Sequence, residues 1–231
     1  ERNSTYPARK MTTIAWAFLA VLLLLALWVR FGGLSRGFFV DELNTVKSAS
    51  LPLGDLLAER STPLLFLLSK PLVALSAKTG IPLEFCLRTP HLLFSLATVA
   101  LAFVLLLRWG GLVAAVLGGL LMVLSKEHIA YSTNARYYAL IMLLCVAVPP
   151  LTLECLQKHR VRDWFLLGVL ILAGMLNHLS FAAFLAPAMF GTFCGLLFDS
   201  TVSRRDRIIR AGILVAVGVV AAVAFLALLL I

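Results

Sequence analysis

The sequence predicts an all-α membrane protein, a polytopic helical bundle of about seven transmembrane spans with one further helix at the interface. Two observations lead there. Of the 231 residues 61% are hydrophobic and only 13% are charged, with mean hydropathy +1.01, a balance outside the range of soluble globular domains. The apolar residues are also gathered into runs long enough to cross lipid, with Lys and Arg clustered in the short segments between them.

The spans are expected near 11 to 30, 88 to 107, 111 to 125, 137 to 156, 164 to 179, 181 to 198 and 211 to 231. Met11 to Val29 is almost unbroken Ala, Val, Leu, Ile, Phe and Trp, about the 20 residues that a crossing helix needs. It is too long for a signal-peptide core and lacks a small-residue cleavage pattern, so it reads as a retained span. The run 63 to 77 is different. As a helix it would reach only about 22 Å against a hydrocarbon core of about 30 Å, and Lys70-Pro71 interrupts it, so it reads as interfacial or re-entrant. Residues 164 to 198 suffice for a two-helix hairpin, Pro149-Pro150 is expected to kink the fourth span or end it early, and Gly118-Gly119 reads as close helix packing. Cys86, Cys145, Cys155 and Cys194 are scattered singly and read as buried thiols. The chain starts at Glu1 and ends inside an apolar run, so it is expected to be a portion of a longer protein, with room for a C-terminal domain.

The net charge of +9 does not point to nucleic acid, because the cations sit in short segments between apolar runs. With seven crossings, Arg2/Arg9/Lys10, Lys158/Arg160/Arg162 and Arg204/Arg205/Arg207/Arg210 all face the cytoplasm, as the positive-inside tendency requires. The same parity gathers the outer loop 31 to 62, the segment Ser125 to Arg136 and Asn177-His178 on the opposite face.

That face holds the chemistry. Asp41-Glu42 follows the first span, and Arg88, Lys126 and Arg136 share its side with Tyr131, Tyr137, Tyr138 and His178. A carboxylate can deprotonate a hydroxyl while Arg, Lys and His hold a phosphate leaving group. Each residue also has a structural reading. Asp41-Glu42 could be a solvated loop pair, and Arg88 and Lys126 could be snorkelling anchors. His178 could bond a neighbouring helix, and the tyrosines could form an interfacial belt. Arg136, between Asn134 and a Tyr pair, offers a bidentate fork with aromatic walls. No metal site is assigned: Glu127-His128 beside the acid pair leaves a divalent cation open, but the spacing argues against it.

An acidic pair after the first span, a Ser61-Thr62-Pro63-Leu64 turn, Arg88-Thr89-Pro90 and Ala135-Arg136-Tyr137-Tyr138-Ala139-Leu140 follow in this order. The order resembles the GT-C glycosyltransferases of the protein O-mannosyltransferase and aminoarabinose transferase type, over nearly the whole chain. Ser61 stands where that family has His, Ser125-Lys126 replaces a Ser-Pro, and Asn177-His178 resembles a Thr-His.

The resemblance implies a GT-C-like module over residues 1–231. Its donor would be a polyprenyl-phosphate-linked sugar, and its acceptor a lipid, glycan or protein at the extracytoplasmic face of a bacterial inner membrane. It implies catalytic roles for Asp41 as base and Glu42 beside it. The residue chemistry above adds donor-phosphate contacts from Arg136, Arg88 and Lys126, and substrate contacts from Tyr131, Tyr137, Tyr138 and His178. A transporter or lipid flippase, and a non-catalytic scaffold derived from the same fold, are the alternatives.

Overall fold

The computed structural model describes residues 12–58, 62–158, 160–198 and 203–230. The Arg2/Arg9/Lys10 cluster and Ser61 lie outside them. The described residues form α1 (Thr13–Phe31), α2 (Val40–Ser50), α3 (Leu53–Ala58), α4 (Pro63–Thr79), α5 (Leu83–Leu124), α6 (Lys126–Ser132), α7 (Tyr138–Lys158), α8 (Val161–Asn177), α9 (Ser180–Phe198) and α10 (Arg204–Leu230). Three of them, α1, α5 and α7, are long and apolar enough to cross a membrane, and Ser180–Leu196 is a shorter apolar stretch. These are the marks of an all-helical membrane protein. The described residues fall into two compact units, one drawn from 12–46 with 69–143 and the other from 47–58, 62–68, 144–158, 160–198 and 203–230.

In the first unit α1 starts where the Thr12 hydroxyl accepts from the Ala15 N–H at 3.3 Å. It buries one stripe, Ala15, Leu19, Leu22, Ala26 and Arg30, spaced as a single helix face. Its other faces are apolar too, with Ile14, Val21, Leu24 and Trp28 exposed. A helix apolar all round but buried along only one stripe is suited to lipid on its remaining faces.

The stripe packs on both arms of α5, against Val99, Phe103 and Leu107 from one and Ala115 and Val123 from the other. A straight helix would put residues 106 and 118 about 18 Å apart. Yet a Cβ on Gly118 would lie 2.3 Å from Leu106 Cδ1, so the chain doubles back between them. The reversal falls at Gly111, whose φ of 84° and ψ of −175° lie in a region essentially reserved for glycine. Gly119 lets Leu22 approach to within 2.7 Å of where its Cβ would be. The close packing expected at Gly118-Gly119 is therefore present. The second arm, 112 to 124, is about 20 Å long, less than a full lipid crossing.

Several sequence expectations change here. The 31 to 62 loop contains two helices, α2 and α3. Helix α4 runs through Pro71 rather than stopping there, and α7 runs through Pro149 and Pro150 to Lys158. Proline removes one donor each time, which a helix inside a packed or apolar setting tolerates. The helix carrying Arg88-Thr89-Pro90 begins earlier, at Leu83 after Pro82, and α10 begins at Arg204, so the last basic cluster is helical.

In the second unit, α8 and α9 form the expected hairpin around His178-Leu179. Gly174 sits where any Cβ would meet the Phe181 ring at 2.3 Å. Leu156, Leu196 and Leu214 cluster with Trp164, Met189 and Phe193, which ties α10 to both arms. The four thiols are free; Cys86 and Cys155 are buried as expected, whereas Cys145 and Cys194 are only half-buried.

Candidate active site around Asp41 and Arg136

The acid pair is divided by the first turn of α2. Glu42 occupies the third helical position, where its Oε2 accepts from the Phe39 N–H at 3.0 Å, half of a capping box. The same carboxylate is fully buried against Arg88, with Nε to Oε1 at 2.9 Å and Nη2 to Oε2 at 2.6 Å. Oε1 also accepts from the Ala135 N–H at 2.7 Å. Burial pushes the Glu42 carboxyl up, but the Arg88 hydrogen bond, the Ala135 and Phe39 N–H groups and the Arg88 charge outweigh it and hold the carboxyl below its usual range. Glu42 is thus an ionised brace joining α2, α5 and the turn before α7.

Arg88 is equally committed. Besides Glu42 it donates to the carbonyls of Gly33, Leu34, Arg36 and Gly37, capping the end of the α1 segment. Fully buried and bonded through Nε, Nη1 and Nη2, it is neither a surface anchor nor placed to receive a phosphate. Gly33 makes room for this join, since a Cβ there would fall 2.7 Å from the Thr133 side chain.

Asp41 points the other way and is 64% exposed. Arg136 lies beside it, donating from Nη1 to the Asp41 carbonyl at 3.2 Å, with Nη2 4.0 Å from Oδ2. Its guanidinium carbon stands 5.3 Å from the centre of the Tyr137 ring, and Nε is buried with no hydrogen-bond partner. Unlike Arg88, Arg136 therefore keeps donor capacity. The Glu42 bond to Ala135 fixes the neighbouring residue of the turn and so sets Arg136 next to Asp41.

The three tyrosines continue from Arg136. Tyr137 donates to the Tyr138 hydroxyl at 3.1 Å, and ring centroids lie 4.2 Å apart for Tyr137–Tyr138 and 4.3 Å apart for Tyr131–Tyr138. Lys126 is exposed on the first turn of α6, whose N-cap is Ser125. His178 belongs to the second unit, where its Nδ1 accepts from the Ser180 N–H at 3.0 Å and lies 2.7 Å from Ser180 Oγ. Of the residues expected to form a site, the structure brings together Asp41, Glu42, Arg88, Arg136 and the tyrosines. His178 is described only within its own unit.

Two residues with no assigned place in the sequence reading, or a different one, form a second polar cluster. Arg30, fully buried, donates to Ser95 Oγ at 3.2 Å, to the Ala26 and Val123 carbonyls at 3.1 and 3.2 Å, to the Met122 carbonyl at 3.4 Å and to His128 Nδ1 at 2.7 Å. An arginine at the end of an apolar run ordinarily reads as a snorkelling anchor. Only the return of α5 and α6 past α1 reveals its acceptors. Arg30 can only donate, so His128 Nδ1 accepts and the ring proton sits on Nε2. Burial, and then the Arg30 charge, lower the His128 pKa to about 4, which keeps the ring neutral at physiological pH. Among the described residues no three His, Cys, Asp or Glu side chains converge as metal ligands.

Compared with protein-family models, curated proteins and solved structures, the chain matches none.

Proposed function

We propose that the chain is the membrane module of an inverting GT-C-type glycosyltransferase. It transfers a sugar from a polyprenyl-phosphate donor to a hydroxyl acceptor at the extracytoplasmic face of a bacterial inner membrane. The observation that carries the reading is the exposed Asp41 carboxylate beside Arg136, held there by the buried Glu42–Arg88 pair. Asp41 accepts the acceptor's proton as its oxygen attacks the anomeric carbon. The bond from that carbon to the phosphate oxygen breaks, and its electron pair leaves with the lipid phosphate. Arg136 donates to the phosphate oxygens as their charge grows. Apolar helices beside the site suit a donor carried in lipid, which needs no cytosolic nucleotide.

The geometry refines the residue roles. Glu42 and Arg88 become positioning residues, and Lys126 remains a candidate second cation for the phosphate. The experiment is product formation from a panel of polyprenyl-phosphate sugars in membranes containing the full-length protein. Transfer of one sugar to an endogenous acceptor is expected. No transfer with any donor, by protein shown to be folded, would remove the reading.

A further inference from the structure

His128 and its neighbours line a cavity of about 410 Å³ together with Leu121, Met122, Glu127, Tyr131, Tyr138 and Ile141. The His128 side chain is buried, and Nε2, on the ring edge away from Arg30, has no hydrogen-bond partner. A buried N–H left unsatisfied is costly, and a native site that retains one calls for an acceptor. The ring's tautomer is fixed, because Nδ1 receives the Arg30 guanidinium at 2.7 Å with Ser95 Oγ at 3.4 Å.

The lining chooses the ligand chemistry. Glu127 supplies a carboxylate, an acceptor only, bonded to the Ser125 hydroxyl at 3.3 Å. Among the described residues no cation lines the cavity, and the five Arg30 N–H bonds are directed to neighbouring protein groups. An anion would face Glu127 without compensation, whereas a hydroxyl both donates and accepts and so matches a neutral N–H next to a carboxylate. Apart from Ser125, the remaining walls are Leu, Ile and Met side chains and the stacked Tyr131 and Tyr138 rings, surfaces on which the C–H face of a pyranose packs while its edge hydroxyls hydrogen-bond.

Resting on the glycosyltransferase reading above, we infer that this cavity is the sugar subsite of the donor, with His128 Nε2 donating to one ring hydroxyl and Glu127 accepting from another. Arg30 is the residue that orients His128. Tyr138 links the subsite to the phosphate position, since it lines the cavity and stacks on Tyr137, over which Arg136 lies.

The test measures binding of polyprenyl phosphate carrying glucose or mannose, each against bare polyprenyl phosphate, to the full chain in lipid nanodiscs. His128→Asn keeps an acceptor near Arg30 and removes the distal donor; His128→Gln keeps a distal donor. His128→Asn should weaken the better sugar-bearing lipid about tenfold, the size of one hydrogen bond, and leave bare lipid unchanged. His128→Gln should retain most of the affinity. Glu127→Gln, at an exposed side chain outside the Arg30 cluster, should cause a smaller loss of the same selectivity. Equal losses for sugar-bearing and bare lipid, or no loss in either His128→Asn or Glu127→Gln, would overturn the subsite while the parent protein's binding keeps the glycosyltransferase reading. A folded parent that binds none of the three lipids would overturn both.

Discussion

Asp41 and Glu42 are neighbours in sequence with opposite surroundings, because successive positions in the first turn of α2 face solvent and the Arg88 pocket in turn. Their substitutions should separate accordingly. Glu42→Ala leaves Arg88 buried without its counter-charge, and is expected to destabilise the fold by about 3–5 kcal/mol in denaturant unfolding. Asp41→Asn, at an exposed group, should leave that stability unchanged. Arg136→Ala should lower transfer by about 10²-fold and weaken donor binding, and Arg136→Lys should restore only part of the rate, because the ammonium lacks the planar fork. Unaltered kinetics in both would make Arg136 an interfacial residue.

Acid should also destabilise through two residues. His128, lowered to about 4 from 6.5, takes up its proton more readily unfolded than folded, so stability is full above about pH 6.5 and falls as pH drops toward 4. Glu42, held below 4.5, adds a loss at lower pH still, as pH falls through its folded pKa. In a pH series of unfolding midpoints, His128→Asn should flatten the slope between about 6.5 and 4. An unchanged slope would mean that the ring is not held neutral.

Among the elements, the α5 hairpin depends most sharply on one residue. Gly111→Ala forces a Cβ into a conformation reserved for glycine and should cost about 1–3 kcal/mol. Gly32→Ala, at an ordinary helical φ of −62° with nothing within 4 Å, should change stability little by comparison. Equal effects would mean that the reversal lies elsewhere. The apolar runs of α1, α7 and α9 were legible because lipid-scale hydrophobicity is a property of the local sequence. The helices inside 31 to 62 were not, since α2 is polar and its start rests on Glu42 bonding Phe39 while paired with Arg88, 46 residues away. Pro71, Pro149 and Pro150 do not end their helices, for the related reason that surrounding packing decides whether a helix continues past a proline. In the candidate site, the proximity of an acid to Arg136 was expected from the span parity read in the sequence. Which acid is buried, and that Arg30 reaches His128 across 98 residues, depends on tertiary contacts that no local pattern encodes.

For the whole molecule, the functional reading requires Asp41, Arg136 and the 125 to 136 segment to face away from the cytoplasm, with the Lys158/Arg160/Arg162 and Arg204/Arg205/Arg207/Arg210 clusters facing it. Single cysteines placed near 43 and 130 should be labelled by an impermeant reagent from outside, and those near 160 and 205 only after the membrane is opened. The reverse pattern would remove the proposed sidedness. The most direct measurement, however, is sugar transfer by Asp41→Asn membranes, with binding of the polyprenyl-phosphate donor and unfolding measured in parallel. Loss of transfer by about 10²–10⁴-fold, with donor binding and stability retained, is the result expected of a general base. Transfer at the parent rate would contradict the assignment of Asp41 to the reaction.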